Sequence, residues 1–285
     1  MFNLKFSATF DNSVFQKYGL KPVVEDYYRV EDNVFCVADG VTRDLVNGNP
    51  TPYPKDMYEA REVFSMYPNP SGAFDAAKIC SDKFIEYINK HNNIDISKNI
   101  IKDVVNKLNR DIDKINKNRD IEYLSEDMYC AVATGGIIVN DKLFCFSIGD
   151  CHITVFDEDF NQMFTTINNH INFEDFEREY LSKHGFDWNN PKDRILTRAA
   201  FRNNPNIKHN GKEVSFGALT GQKEAMHYVD TYMVPLDRAK YICAYSDGYE
   251  PIFANIDLVK SLVLEPEKFI NQGKERTIVI YERID

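Results

Sequence analysis

The stretch VFCVADGVTRD, residues 34–44, decides how this chain is interpreted. Apolar, strand-forming residues lead directly into Asp39, which is followed by Gly40. A second apolar run, YICAYSDG at 241–248, ends in the same way at Asp247. A single carboxylate after a strand usually makes a turn or caps the next helix. Two such strand ends in distant parts of one chain also allow a shared acidic site.

Further acids are predicted at the same end of the sheet. Glu25 and Asp26 lie in a run, 23–30, that predicts a strand paired with 33–38. Carboxylates that converge in one cleft repel each other unless a divalent cation neutralises them. Ligation by oxygen alone suits Mg²⁺ or Mn²⁺ better than zinc. The residue pattern therefore leaves two interpretations open, an acidic metal site and a set of ordinary turns.

Composition narrows the class of protein. The chain has 285 residues, of which 43% are hydrophobic and 13% aromatic, enough for a sizeable core. Its 34 Lys and Arg against 44 Asp and Glu argue against nucleic acid or an anionic membrane as the main partner. The six cysteines form no CxxC pair, which favours small core residues in a reducing compartment. With no signal-like apolar run at the start, a cytoplasmic location is predicted.

The order of predicted elements favours an α+β layered domain over alternating βαβ units. A hairpin with a turn at Glu31-Asp32 comes first, and residues 44–72, with five prolines, form an irregular or partly helical excursion. Two amphipathic helices are then predicted over 72–91 and 97–119, with Ser97 as a cap.

The second half of the chain returns to strands. Residues 128–157 predict a meander of three strands, and residues 158–239 are mixed, with one short helix at 173–184. This mixed segment is the place where a lid or recognition flap is expected. A helix after residue 255 and a final strand over 276–284 complete the order.

Five short motifs in this order resemble those of the metal-dependent Ser/Thr protein phosphatases of the 2C type, the PPM family. They span nearly the whole chain and comprise Glu25-Asp26, VFCVADGV, KLFCFSIGDCHITVFD, ILTRAAF at 195–201 and YICAYSDGY. The resemblance implies one phosphatase domain over 1–285, built as a four-layer α-β-β-α sandwich of two mainly antiparallel sheets flanked by helices.

The resemblance also implies roles for individual residues. Two Mn²⁺ or Mg²⁺ ions, and a third that binds more weakly, would be held by Glu25, Asp39, the Gly40 carbonyl, Asp127, Asp247 and Glu275. Asp39 would bridge the two main ions, Asp127 would serve the third, and Asp26 and Asp150 would be supports. Lys21 occupies the place of the family's phosphate-binding arginine, and Lys21 and Asp39 would be the catalytic pair.

Three departures from the family pattern bear on activity. Lys21 has one charged nitrogen where arginine has a bidentate fork. Two glycines that commonly follow Asp-Gly are replaced by VTRD, in which Arg43 can take a phosphate contact. Near the end, GKERT places Lys274 where the family has a metal-binding Asp, and Glu275 follows it. Glu275 is predicted to be the ligand, by a shift of one residue.

The leading hypothesis is a Ser/Thr phosphoprotein phosphatase acting on substrates of a Ser/Thr kinase system through a metal-activated bridging water. The alternative from another class is a pseudophosphatase, a regulatory or phosphopeptide-binding module with the same fold. An unrelated acidic protein whose Asp-Gly pairs are turns is a third. A haloacid-dehalogenase-type enzyme is disfavoured, because Asp39 is not followed by a second Asp two residues on. A histidine can act as general acid, but the sequence assigns that role to none of the six, His91 included.

Overall fold

Two five-stranded antiparallel sheets form the centre of the molecule. The computed structural model describes residues 1–11, 23–41, 45–46, 49–50, 56–91, 96–118, 128–168, 170–269 and 275–284. The first sheet has the order β1 (Phe2–Phe10), β14 (Arg276–Arg283), β13 (Tyr241–Tyr245), β8 (His152–Phe156), β9 (Gln162–Thr165). The second has the order β12 (Asp230–Pro235), β7 (Lys142–Ile148), β6 (Ala131–Val139), β3 (Val34–Gly40), β2 (Tyr27–Glu31). Two short ribbons pair β4 (Leu45–Val46) with β5 (Asn49–Pro50), and β10 (Lys208–His209) with β11 (Lys212–Glu213).

In chain order the helices are α1 (Met57–Met66), α2 (Gly72–Ile88), α3 (Lys98–Asn118), α4 (Ile171–His184), α5 (Pro191–Phe201), α6 (Glu250–Phe253) and α7 (Ile256–Leu264). Of these, α2 and α3 cover the outer face of one sheet and α7 packs on the outer face of the other. Among the described helices, none is both long enough and apolar enough to cross a membrane.

The alternation of side chains along β3 builds the layers. Val34, Cys36 and Ala38 pack in one core with α2 and α3, while Phe35 and Val37 pack in a second core against the other sheet. A third core buries α7 on the far face of the first sheet. The predicted α-β-β-α sandwich is therefore confirmed.

Both amphipathic helices occur where the 3.6-residue period predicts them, with ends that differ by at most three residues. The Ser71 hydroxyl caps α2 by accepting a bond from the Phe74 amide at 3.1 Å. The Ser97 hydroxyl accepts one from the Ile100 amide at 3.3 Å, as predicted. Caps of this kind satisfy N–H groups that have no partner within the helix.

The predicted strand over 23–30 is wrong in its first half, since β2 begins only at Tyr27. The Glu25 and Asp26 amides donate instead to the side chain of Glu275, so this segment turns toward the other sheet. The turn of the hairpin also lies one residue later than predicted, at Asp32-Asn33, and Asp32 has a positive φ of 52°.

The predicted meander over 128–157 is also wrong in part. β6 and β7 form a hairpin around Asn140-Asp141, but β8 pairs with β13 and β9 in the other sheet. The chain crosses between the sheets at Gly149, whose φ of +80° favours glycine. Three successive apolar runs have the same sequence pattern whether or not their strands share a sheet, so the sequence alone did not predict this crossing.

The segment 158–239 contains more helix than its sequence suggested. α4 is close to the predicted short helix, while α5 occupies a region expected to be loop. The signal for α5 is Asn190-Pro191, in which the Asn190 side chain caps the Lys192 amide and proline takes the first helical position. Buried aromatic rings, including Phe173, Phe201 and Phe216, hold this segment together.

Candidate active site

The predicted acids meet at one end of the space between the two sheets. Along β3 the side chains that face this space are Phe35 and Val37, so the alternation brings Asp39 to its edge. In the facing sheet, Ile242 and Ala244 of β13 occupy the same space, and the strand ends just before Ser246 and Asp247. The sandwich therefore places the ends of two distant strands opposite each other.

The pKa values of these carboxylates show that they repel one another. Burial, followed by repulsion from Asp26, Asp247, Asp150 and Glu275, raises the pKa of Asp39 well above its ordinary value. Burial also raises the pKa of Asp26 to about 7, although hydrogen bonds from Ser246 and Thr277 act in the opposite direction. Such a cluster does not ionise fully unless positive charge is brought to it. The structure thus places Asp247 and Glu275 within electrostatic reach of Asp39.

Glu275 joins the two ends of the site. Its Oε1 atom accepts hydrogen bonds from the backbone amides of Glu25 and, at 2.7 Å, Asp26. Burial, and then repulsion from Asp26, raises the pKa of Glu275 to about 8. At least one oxygen of Glu275 therefore holds the 25–26 segment at the start of β14.

The two early acids are anchored by hydroxyl groups. Glu25 is 5% exposed, and its Oε1 accepts bonds from the Tyr67 and Ser71 hydroxyls, each at 2.6 Å. The Asp26 carboxylate accepts a 2.6 Å bond from the Ser246 hydroxyl, which in turn accepts one from the Thr277 amide at 2.9 Å. Protein hydrogen bonds therefore hold the Asp26 carboxylate in place, and its role as a support stays a prediction.

These four anchoring residues were missed by sequence reasoning. Ser71 carries a local signal as the cap of α2, and Ser246 stands in the SDG motif itself. Tyr67 and Thr277 carry none, because each contact spans distant parts of the chain.

A cavity of about 330 Å³ opens beside Asp39 and Gly40. Its other walls come mainly from the 158–239 segment and include His170, Trp188, Arg198 and Phe216, with Asp150 also in the lining. The guanidinium of Arg198 lies 5.6 Å from the centre of the Trp188 ring. A cavity with an acidic floor and a cationic, aromatic wall can accommodate an anion that is bridged to the floor by cations.

The described acids have the charge and the oxygen donors that suit a divalent metal, but they do not form a complete set of ligands. Across the described residues, no group of three or more His, Cys, Asp or Glu side chains is arranged to hold a metal ion. The repulsion within the cluster is nevertheless the electrostatic condition that a cation relieves, and its donors are all oxygens. One oxygen each of Glu25, Asp26 and Glu275 already accepts protein hydrogen bonds, and Asp39 and Asp247 add two further carboxylates to the cluster.

Four residues of interest lie outside the described residues: Lys21, Arg43, Asp127 and Lys274. Their predicted roles in phosphate and metal binding stay predictions. The ligand roles of Glu25, Asp39, Gly40, Asp247 and Glu275 are likewise predictions about residues whose positions are now known.

Comparison with known proteins identifies the fold. No family model and no curated protein sequence matches the chain. Solved structures do match over its whole length. The serine/threonine phosphatase PstP/Ppp of Mycobacterium tuberculosis is 12% identical with a TM-score of 0.57, covering 100% of this chain and 99% of that one.

Two further structures agree. The PstP catalytic domain in complex with two manganese ions is 13% identical, with a TM-score of 0.54 and complete coverage of both chains. The serine/threonine phosphatase Stp1 from Staphylococcus aureus is 12% identical, with a TM-score of 0.54, covering 100% of this chain and 94% of that one. The resemblance seen in the sequence motifs is thus confirmed in three dimensions: this chain has the fold of the PPM-type bacterial Ser/Thr phosphatases.

Proposed function

We propose that this protein is a metal-dependent phosphatase that hydrolyses phosphoserine and phosphothreonine in proteins. The observation that carries the proposal is the position of Asp39, which lines a cavity and is repelled by the nearby carboxylates of Asp26, Asp247 and Glu275. Mutual repulsion of this size is costly in a protein core unless a cation or a proton offsets it. The solved structures that share the fold are Ser/Thr phosphatases, one of them with manganese, which supports the same activity here.

Different residues of the chain would bind the metal ions and hold the carboxylates in position. Asp39 and Asp247, with Glu25, Glu275, Asp127 and the Gly40 carbonyl as further candidates, would hold two Mn²⁺ or Mg²⁺ ions and a weaker third. Metal ions at such a site neutralise phosphoryl oxygens and lower the pKa of water toward neutrality. Glu275 and Ser246 would fix the 25–26 segment, so that the carboxylates keep their positions as substrate arrives.

The phosphate would also meet positive side chains. Arg198 lines the cavity beside Asp39, and its planar guanidinium suits two phosphate oxygens at once. Lys21 and Arg43 remain candidates for the same task. A phosphoprotein made by a Ser/Thr kinase is the proposed substrate, and the cytoplasm is the proposed location.

Hydrolysis of a phosphoseryl peptide and of p-nitrophenyl phosphate, with Mn²⁺ and with EDTA, tests the proposal. We expect Mn²⁺-dependent release of inorganic phosphate. Asp39→Asn should lower kcat/KM on the order of 100-fold or more, the scale on which one lost transition-state contact acts.

Asp103→Asn is the matched control, since Asp103 is an exposed aspartate on α3. It should keep wild-type activity. Folded wild-type protein that releases no phosphate at any Mn²⁺ concentration would contradict the enzyme proposal.

One observation favours the second candidate, a pseudophosphatase. Glu25 and Glu275 each already use an oxygen on protein donors, and no group of three metal-binding side chains is assembled in the described part of the chain. Calorimetric titration with Mn²⁺ and with a phosphopeptide separates the two candidates. Peptide binding without turnover would favour the regulatory module.

A further inference from the structure

We propose that the cavity beside Asp39 contains an apolar subsite, which binds a large apolar side chain next to the phosphorylated residue of the substrate, and that Trp188 determines this specificity. The inference rests on the proposed phosphatase function and names the class of peptide sequence that the site selects. The occupant is a side chain of the substrate itself, because the subsite and the acidic floor belong to one cavity.

The wall of this cavity is largely apolar. Within the described part of the chain, half of the residues that line the cavity are aliphatic or aromatic: Val41, Val132, Phe173, Trp188, Phe216 and Ala218. Glu177 and Arg198 add opposite charges to the same lining. Away from the acidic floor, the wall therefore favours an uncharged side chain, because a charged one would lose hydration without a clear partner. Ligand sites commonly combine such an apolar wall with a few polar groups.

Three aromatic rings shape the subsite. The rings of Phe173 and Phe216 have centroids 4.8 Å apart, and Phe173 also packs against Phe201 at 5.1 Å. Phe173 and Phe216 are 7% and 8% exposed, so the core behind them fixes their rings. Trp188 is only partly buried and has a larger ring. It is therefore the ring that offers most surface to a ligand.

Hydrogen bonds hold the wall of the cavity in place relative to its floor. Asn203 Oδ1 accepts a bond from the Ala218 amide at 3.0 Å, and Asn203 Nδ2 donates to the Ala218 carbonyl at 2.9 Å. The next residue, Leu219, exchanges two backbone bonds with Ala131, at 2.9 and 3.2 Å. Ala131 pairs in turn with Gly40 at the floor. A subsite that is formed before the ligand arrives loses little entropy on binding.

The size of the cavity limits how much of a substrate it can hold. Its volume of about 330 Å³ is near the lower end of the range of roughly 300–1,000 Å³ found for ligand sites. The cavity therefore accommodates a phosphoryl group and one neighbouring side chain rather than a long stretch of peptide. Burial of one Phe or Leu side chain strengthens binding by about 10–100-fold.

Phosphoseryl peptides that differ at a single position test the subsite. The residue directly before or directly after the phosphoserine is Phe, Ala, Glu or Lys, and kcat/KM is measured with Mn²⁺. At one of these two positions, Phe should raise kcat/KM about 10–100-fold over Ala, because its ring becomes buried against the wall. Glu and Lys should give no gain over Ala.

Substitution of Trp188 shows whether its ring makes this difference. Trp188→Ala should lower the ratio of kcat/KM for the Phe peptide to that for the Ala peptide to within about threefold of unity, since less apolar area is buried. Trp188→Phe should retain part of the ratio. The ratio is the informative quantity, because Trp188 also lies beside Arg198, and a displaced Arg198 would slow both peptides equally. Leu264→Ala is the control, since Leu264 is 55% exposed at the end of α7, and it should keep the wild-type ratio.

The fluorescence of Trp188 gives a test that needs no turnover, because Trp188 is the single tryptophan of the chain. The probes are difluoromethylenephosphonate analogues of the Phe and Ala peptides, which cannot be hydrolysed. In the presence of Mn²⁺, the Phe analogue should change the Trp188 emission and bind about 10–100-fold more tightly than the Ala analogue.

Three results would overturn the subsite while leaving the phosphatase proposal standing: equal kcat/KM for the Phe and Ala peptides at both positions, a preference for Glu or Lys, or a wild-type ratio in folded Trp188→Ala. Wild-type protein that is inactive on every peptide with Mn²⁺ would overturn the proposed function. The fluorescence titration would still decide the subsite in that case, and equal binding of the two analogues would overturn it.

Discussion

The two Asp-Gly strand ends look alike in the sequence and differ in the structure. Asp39 and Gly40 are the last residues of β3 and still pair with β6 across from Val132 and Ala131. Asp247 and Gly248 lie beyond the end of β13, in a single 3₁₀ turn that leads into α6. One carboxylate is therefore fixed by a sheet and the other by a turn.

Both glycines nevertheless serve the same purpose. Neither is among the described glycines with a positive φ. A Cβ on Gly40 would lie 2.2 Å from the Ala73 carbonyl oxygen, and a Cβ on Gly248 would lie 2.2 Å from that of Glu275. The first close approach brings the start of α2, with Ser71, to Glu25; the second brings Glu275 to the site. In this fold Asp-Gly marks close backbone packing beside an acid.

Alanine at Gly40 or Gly248 should have the largest effect on the free energy of unfolding. Comparing the two variants shows whether the strand end and the turn are equally rigid. Gly40→Ala meets the backbone of a packed helix, so we expect it to lose about 3 kcal/mol or more of unfolding free energy. Gly248→Ala should lose about 1–3 kcal/mol, because a short turn can shift more easily. Urea denaturation measures both.

Gly211→Asn is the control, since that glycine has a φ of +78°, which asparagine tolerates, and open space around it. It should cost less than about 1 kcal/mol. A Gly40→Ala protein as stable as wild type would show that close packing is not the reason for this glycine.

Substitution of Glu275 distinguishes its hydrogen bonds with the Glu25 and Asp26 amides from a role in metal binding. Gln keeps an oxygen that can accept from the Glu25 and Asp26 amides, so Glu275→Gln should fold normally. Glu275→Ala loses that acceptor and should cost about 1–3 kcal/mol. If Glu275 also holds metal, the Gln variant should weaken Mn²⁺ binding about 10–100-fold.

Calorimetric titration with Mn²⁺ measures the second effect, with thermal unfolding as the control for folding. A Gln variant that binds Mn²⁺ like wild type would limit Glu275 to its backbone contacts.

The smallest expected effect is a pH dependence of stability in metal-free protein. The pKa of Asp26 rises from 3.8 to about 7 on folding, and that of Glu275 from 4.5 to about 8. The folded state therefore binds more protons than the unfolded state across this window, and stability must fall as pH rises through it. In EDTA we expect unfolding free energy to drop by at least about 1 kcal/mol between pH 5 and pH 8. Excess Mn²⁺ should remove most of this drop, because the cation replaces the protons. Metal-free stability that rises over the same range would contradict a repulsive cluster.

Local patterns predicted the parts of the fold that depend on local physics. The 3.6-residue period of α2 and α3 and the apolar runs before Asp39 and Asp247 each follow from one segment and its buried face. The convergence of these two acids followed from recognising a family pattern, since no property of either run alone says which sheet it joins.

Long-range contacts set the limit of sequence reasoning. The crossing at Gly149 depends on which sheet receives β8, and the Tyr67 hydroxyl reaches Glu25 from 42 residues away. The cavity beside Asp39 is likewise made by distant parts of the chain. Contacts of this kind produce no periodic pattern in the sequence, so the sequence does not predict them.

The bonds from Glu25 and Asp26 to Glu275 have a consequence for the order of folding. They join residues about 250 positions apart, so the site cannot close on a ribosome until β14 has emerged. Pairing over such distances is slow to form, because the chain loses loop entropy before any contact compensates. If the site holds metal, cation binding would therefore favour molecules in which β14 has already joined the sheet.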